Sequence, residues 1–179
     1  MEAMTVRRQA NAGLAQLTIV GGALLVIQAI ASAFIDQSTN YSATTGDLLS
    51  DGLLGAGLLV TLAGLDSLRR TLAPRFGWFA LAGQAAITLA IVATIAAAHE
   101  VLDGVYIAGT AAWLVGTVAM AVVAARTRGV DKLVVILPVA CVLSLALADT
   151  GGALLLGALW IVVGSRLRVD RAGDGLQGP

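Results

Sequence analysis

Six apolar stretches, joined by short polar connections, account for most of the chain. A polar, basic segment at 1–12, carrying Arg7 and Arg8, leads into the first stretch at 13–34. The others cover 47–65, 77–98, 105–125, 133–148 and 152–165. They are continuous rather than alternating, so they predict helices. A helix of about 20 apolar residues crosses a bilayer core. Only helices and closed barrels satisfy backbone polar groups in lipid, and the lack of a period of two excludes a barrel. The pattern predicts an all-α integral membrane protein. Its expected form is a six-helix transmembrane bundle of three helical hairpins, one domain over 1–170, with a disordered cytoplasmic tail at 171–179.

The last two stretches hold apolar runs of about 16 and 13 residues, below the usual crossing length. They can cross where the bilayer thins and flanking arginines snorkel, or they can form a re-entrant hairpin. Pro138 falls within the fifth stretch and is expected to kink it. Arg7, Arg8, the first stretch and Ala31-Ser32-Ala33 mimic a secretory signal. The run exceeds a usual signal core, and a retained first helix is expected.

Composition agrees with the pattern. Hydrophobic residues make up 58% of the 179 and charged residues 12%, with mean hydropathy +0.90. Soluble domains are about 25% charged. Net charge is zero, so no overall basic field draws nucleic acid. Ten arginines stand against one lysine, a usage resembling that of high-GC bacterial genomes, hence the expectation of a bacterial inner membrane. With both termini cytoplasmic and six crossings, all eleven basic residues fall on the inner side, as the positive-inside rule asks. The expected location is the cell membrane, multi-pass.

The even-numbered helices share a glycine pattern: Gly57 with Gly64, Gly109 with Gly116, and Gly157 with Gly164. The leading glycines lie 52 and 48 residues apart, which suggests three copies of a two-helix unit. Seven residues are nearly two helical turns, so each pair shares a face. Small residues on one face allow close helix packing in lipid.

The expected outer face carries Asp36, Asp47, Asp51, Glu100, Asp103 and Asp149, together with His99, Tyr41 and Tyr106, and no basic residue. Asp47, Asp103 and Asp149 stand where helices begin and read as caps on the positive ends of helix dipoles. Asp51 lies one turn deeper, at membrane depth, where ionisable groups are functional candidates. Gln28, in the outer half of helix 1, is expected to reach it. The expected ligand-binding set is Asp51, Gln28, Glu100 and Asp149. The catalytic candidates, were there chemistry, are Asp51, Glu100, His99 and Asp103.

One cysteine, Cys141, and one histidine, His99, exclude an intrachain disulfide and a bis-histidine haem from a single chain. No metal site or cofactor is expected, and no nucleotide-loop, nucleophile-elbow or zinc motif occurs in the sequence. Three functional classes follow. The first is binding or transport of a cationic or lipophilic small molecule through an outward-facing acidic vestibule. The second is a membrane-embedded acid–base enzyme of isomerase or cyclase type acting on a lipophilic substrate. The third is an accessory subunit whose glycine faces dock a partner subunit or a second copy.

Overall fold

The structure is a computed structural model and describes residues 2–34, 44–72, 75–97, 102–127, 133–147 and 152–173. It is all-helical: α1 (Glu2–Phe34), α2 (Thr45–Leu72), α3 (Gly77–Ala97), α4 (Asp103–Arg126), α5 (Leu133–Ala146) and α6 (Ala153–Gly173). Four helices, α1 to α4, have spans long and apolar enough to cross a membrane. The apolar parts of α5 and α6, Val135–Ala146 and Ala153–Arg166, are shorter.

The helices form a ring in chain order. Each packs against the next, and α6 returns to pack against α1 more extensively than any other pair. Glycines set these contacts. A Cβ on Gly22 of α1 would sit 2.7 Å from Gly157 O of α6, and one on Gly157 would sit 2.6 Å from Gly22 O. The backbones touch there, so no side chain can be admitted without separating the helices. Gly57 and Gly64 of α2 lie against Leu25 and Thr18 of α1, and Gly109 and Gly116 of α4 lie against Gly83 and Ala80 of α3. Two glycine pairs thus face the preceding helix, while Gly157 and Gly164 face α1 rather than α5. All three faces are filled from within the chain.

These contacts run antiparallel. Gly164 meets Ala15 and Ile19, whereas Gly157 meets Gly22 and Val26. Continued in register, this places Ala153, the first residue of α6, level with Gln28. Helix α1 continues six residues further to Phe34, a rise of about 9 Å. The α5–α6 pair therefore stops short of the end reached by α1. At that end lie Asp47, Asp51 and Asp103, and at the other lie Arg69, Arg70, Arg75, Arg126 and Arg166. We call these the acidic and basic ends.

Several helix limits differ from those read off hydropathy. Helix α1 begins at Glu2 rather than 13. Helix α2 continues past 65, into the polar connection that follows the second stretch, to Leu72. Asp66 holds Arg69 at 2.5 Å and Arg70 at 2.8 Å, at i,i+3 and i,i+4 spacing, and such pairs carry a helix past its apolar stretch. Arg69 also lies 4.0 Å from the centre of the Trp78 ring, which fixes the start of α3 against the end of α2. Helix α6 extends to Gly173, so 171–173 are helical where a disordered tail was expected. The rest of that tail lies outside the described residues.

Two capping expectations change. Thr44 precedes the first turn of α2, and Asp47 lies within it. The Asp47 carboxylate accepts from Thr44 N at 3.3 Å and Thr44 Oγ1 at 2.6 Å, while Asp47 N donates back to Thr44 Oγ1 at 3.2 Å. This is a reciprocal capping box with Thr44 as the cap. In α4 the cap is Leu102, at φ 63°, with no side-chain capping bond, and Asp103 is an exposed first-turn residue. Asp149 lies outside the described residues.

Candidate functional site

The ring encloses a cavity of about 80 Å³ in its acidic half, partly open, to which every helix contributes. Gln28 comes from α1, Leu58 from α2, Ile87 from α3, Tyr106 and Trp113 from α4, Ser144 from α5 and Leu156 from α6. Leu54, Leu145 and Ala153 complete the wall. Towards the basic end the interior is filled by Leu65, Met120, Leu137 and Trp160, all fully buried. The space is thus a blind pocket. An apolar wall with a few convergent polar groups is the usual form of a small-molecule site.

Each polar group has a structural origin. Gln28, 7% exposed, donates Nε2 to Ser50 Oγ of α2 at 3.0 Å. The expected partner of Gln28 was Asp51, and the structure supplies the residue before it. Asp51 is half-buried, and its side chain is not part of the cavity wall. Tyr106, Thr110 and Trp113 follow one another at i, i+4 and i+7, so they form one stripe along α4. Trp113 is turned inward because Gly109 and Gly116, on the same face, seat α4 directly against α3.

This stripe contains two hydrogen-bonding atoms with no partner. Trp113 Nε1 and Thr110 Oγ1 are buried and unbonded. The contrast with other threonines is informative. Thr18, Thr88 and Thr117 each donate to the carbonyl four residues earlier, at 2.8, 2.8 and 2.9 Å. That is the usual way a helical threonine satisfies its hydroxyl, and Thr110 does not use it.

Beneath the cavity Gln84 of α3, 0% exposed, donates Nε2 to Leu58 O at 2.7 Å and Thr61 Oγ1 at 2.8 Å. Its Oε1 has no partner. This knot ties α2 to α3 below the Leu58 wall.

The expected site residues are therefore dispersed. Gln28 lines the cavity, Asp51 is half-buried outside its wall, and Asp103 is exposed at the start of α4. His99, Glu100, Asp149 and Asp36 lie outside the described residues. Among the described residues no three of His, Cys, Asp and Glu come together as metal ligands. Cys141 is fully buried. Hydropathy missed Ser50, which nothing in the sequence distinguishes from other small polar residues. Trp113 had a signal, since its spacing puts it on the face of Gly109 and Gly116, the pair that marks the packed face of α4.

No protein-family model, no curated protein and no solved structure matches the chain.

Proposed function

We propose that this chain is a multi-pass membrane protein of the bacterial cell membrane that binds or carries a small, mainly apolar molecule within its helical ring. Both termini are placed in the cytoplasm, with the basic end inward and the acidic end outward. That orientation puts every basic residue on the inner side. The ligand enters from the acidic end, above the short α5–α6 pair. Asp51 and Asp103 give that end a negative field that favours positively charged or neutral molecules.

The observation that carries this reading is the blind cavity built from all six helices. Among the described candidates for acid–base chemistry, neither Asp51 nor Asp103 lines the cavity.

An aliphatic diazirine photoprobe, applied to the purified protein in detergent, tests the proposal. Crosslinks should map to Leu54, Leu58 and Leu156, and Ala153→Phe should remove them while the helical circular dichroism is kept. Labelling confined to outward-facing residues such as Leu89 and Val115 would refute it.

A further inference from the structure

Resting on the membrane placement above but not on the cavity, we infer that the corner between α2 and α3 binds anionic phospholipid headgroups of the leaflet at the basic end. The stretch 66–79 holds three arginines and one acid. Asp66 is shared by two of the three: its Oδ1 accepts from Arg69, and its Oδ2 accepts from Arg70 Nε at 2.8 Å. Arg69 is buried, with its guanidinium 4.0 Å from the centre of the Trp78 ring. A Cβ on Gly77 would collide with the Arg69 side chain. The start of α3 is therefore seated directly on Arg69. Measured contacts thus join Asp66, Arg69, Arg70, Gly77 and Trp78 into one unit with surplus positive charge.

Two arginines of this corner are turned outward. The Arg70 side chain is 73% exposed, and Arg75, two residues before Gly77, is exposed as well. Their depth follows from the spans. Arg70 is the last residue of the α2 span, Thr45–Arg70, and Gly77 is the first of the α3 span, Gly77–Ala97. Both cations therefore stand where hydrocarbon gives way to phosphate. Phe76, Trp78 and Phe79 are each more than half exposed at the same boundary, the level at which aromatic rings anchor in a bilayer. A free anion needs only the cations. Exposed rings beside them fit a molecule with an anionic head on apolar chains. A zwitterionic head cancels its phosphate with an ammonium group, so the surplus charge favours a lipid such as phosphatidylglycerol.

The test uses the full chain in a neutral detergent, with Trp78 as the only indole in a Trp113→Phe and Trp160→Phe background. Phosphatidylglycerol and phosphatidylcholine with the same brominated acyl chains are titrated, and quenching of Trp78 is read. Half-quenching should need about tenfold less phosphatidylglycerol, since each arginine near an anionic surface contributes roughly fivefold and Asp66 offsets part of the charge of Arg70. The preference should fade in about 1 M salt, where the Debye length is about 3 Å. Arg70→Gln combined with Arg75→Gln should cut the preference to about twofold or less and leave quenching by phosphatidylcholine as it was. If the tryptophan background does not fold, native mass spectrometry of the natural protein, counting retained lipids of each kind, makes the same comparison.

Equal action of both lipids in low salt, or a preference kept in the double glutamine variant, would overturn the inference and leave the membrane placement standing. Displacement of the brominated phosphatidylglycerol by an equal concentration of inorganic phosphate, at constant ionic strength, would assign the corner to a free anion and overturn it too. Quenching by neither lipid, in protein that keeps its helical circular dichroism, would overturn both the inference and the membrane placement. The cavity keeps its own test in the diazirine probe.

Discussion

Gln28 Nε2 of α1 donates to Ser50 Oγ of α2 at 3.0 Å, at the level where α6 begins. The bond fixes the rotation of α1 against α2 at that level. It also sets one wall of the cavity, which Gln28 lines.

Glycine contacts should dominate stability. Gly22→Val places a side chain against the backbone of α6, where Gly157 O lies 2.7 Å from the added Cβ. Backbone cannot yield as a flexible side chain can, so the loss should match or exceed the usual overpacking cost of about 1–3 kcal/mol. Gly104→Ala meets nothing within 4 Å. It should be neutral or raise stability by about 0.5–1 kcal/mol through backbone entropy. Thermal unfolding in one detergent compares the two. Equal midpoints would contradict the ring geometry.

The Gln84–Thr61 contact should couple measurably but modestly. A double-mutant cycle with Gln84→Met and Thr61→Val should give about 0.6 kcal/mol, and no more than about 1.7, as for other interhelical bonds in bilayers. Gln84→Met alone should be mild, because it also removes the unpartnered Oε1 and keeps the volume. Gln84→Ala should cost more, because it leaves a cavity. Reversible unfolding in mixed micelles provides the readout.

Arg69 should not tolerate lysine. Its guanidinium donates through Nε and Nη2 to Asp66 Oδ1, at 2.9 and 2.5 Å, and lies over Trp78. An ammonium has neither the fork nor the flat face. Arg69→Lys should recover less than half of the stability lost in Arg69→Ala. The emission of Trp78, isolated in a Trp113→Phe and Trp160→Phe background, should change in both variants. Full recovery by lysine would show that charge alone matters.

The proposed orientation can be read with thiol reagents. In the Cys141→Ser background, Asp103→Cys should react with an impermeant maleimide added to intact cells. Arg126→Cys should react only after the membrane is opened. The natural Cys141, 0% exposed, should stay unlabelled until the protein unfolds. The reverse pattern at 103 and 126 would invert the assigned topology.

How much of this was legible depends on the physical signal involved. Lipid imposes a length and a hydropathy on each crossing, so the six helices were visible without a structure. Helix ends were less so, because Asp66 with Arg69 and Arg70, or Thr44 with Asp47, extend helices through polar pairing that hydropathy reads as loop. Site membership was least visible. It depends on how each helix is rotated about its axis, and the weak amphipathicity of apolar helices leaves that rotation unmarked. For this reason Asp51 stood out while its neighbour Ser50 makes the bond to Gln28. Where glycines mark the packed face, as around Trp113, the rotation could have been inferred.

The contact of Gly22 with Gly157 has a consequence for assembly. The first helix made must wait for the last one before its second flank is covered, and until then Gly22 faces lipid. The cavity, walled in part by Ser144, Ala153 and Leu156, comes into being only at that final step. A chain that stops after α5 would hold most of the helices and none of the enclosed space, so the proposed ligand capture would be confined to finished molecules.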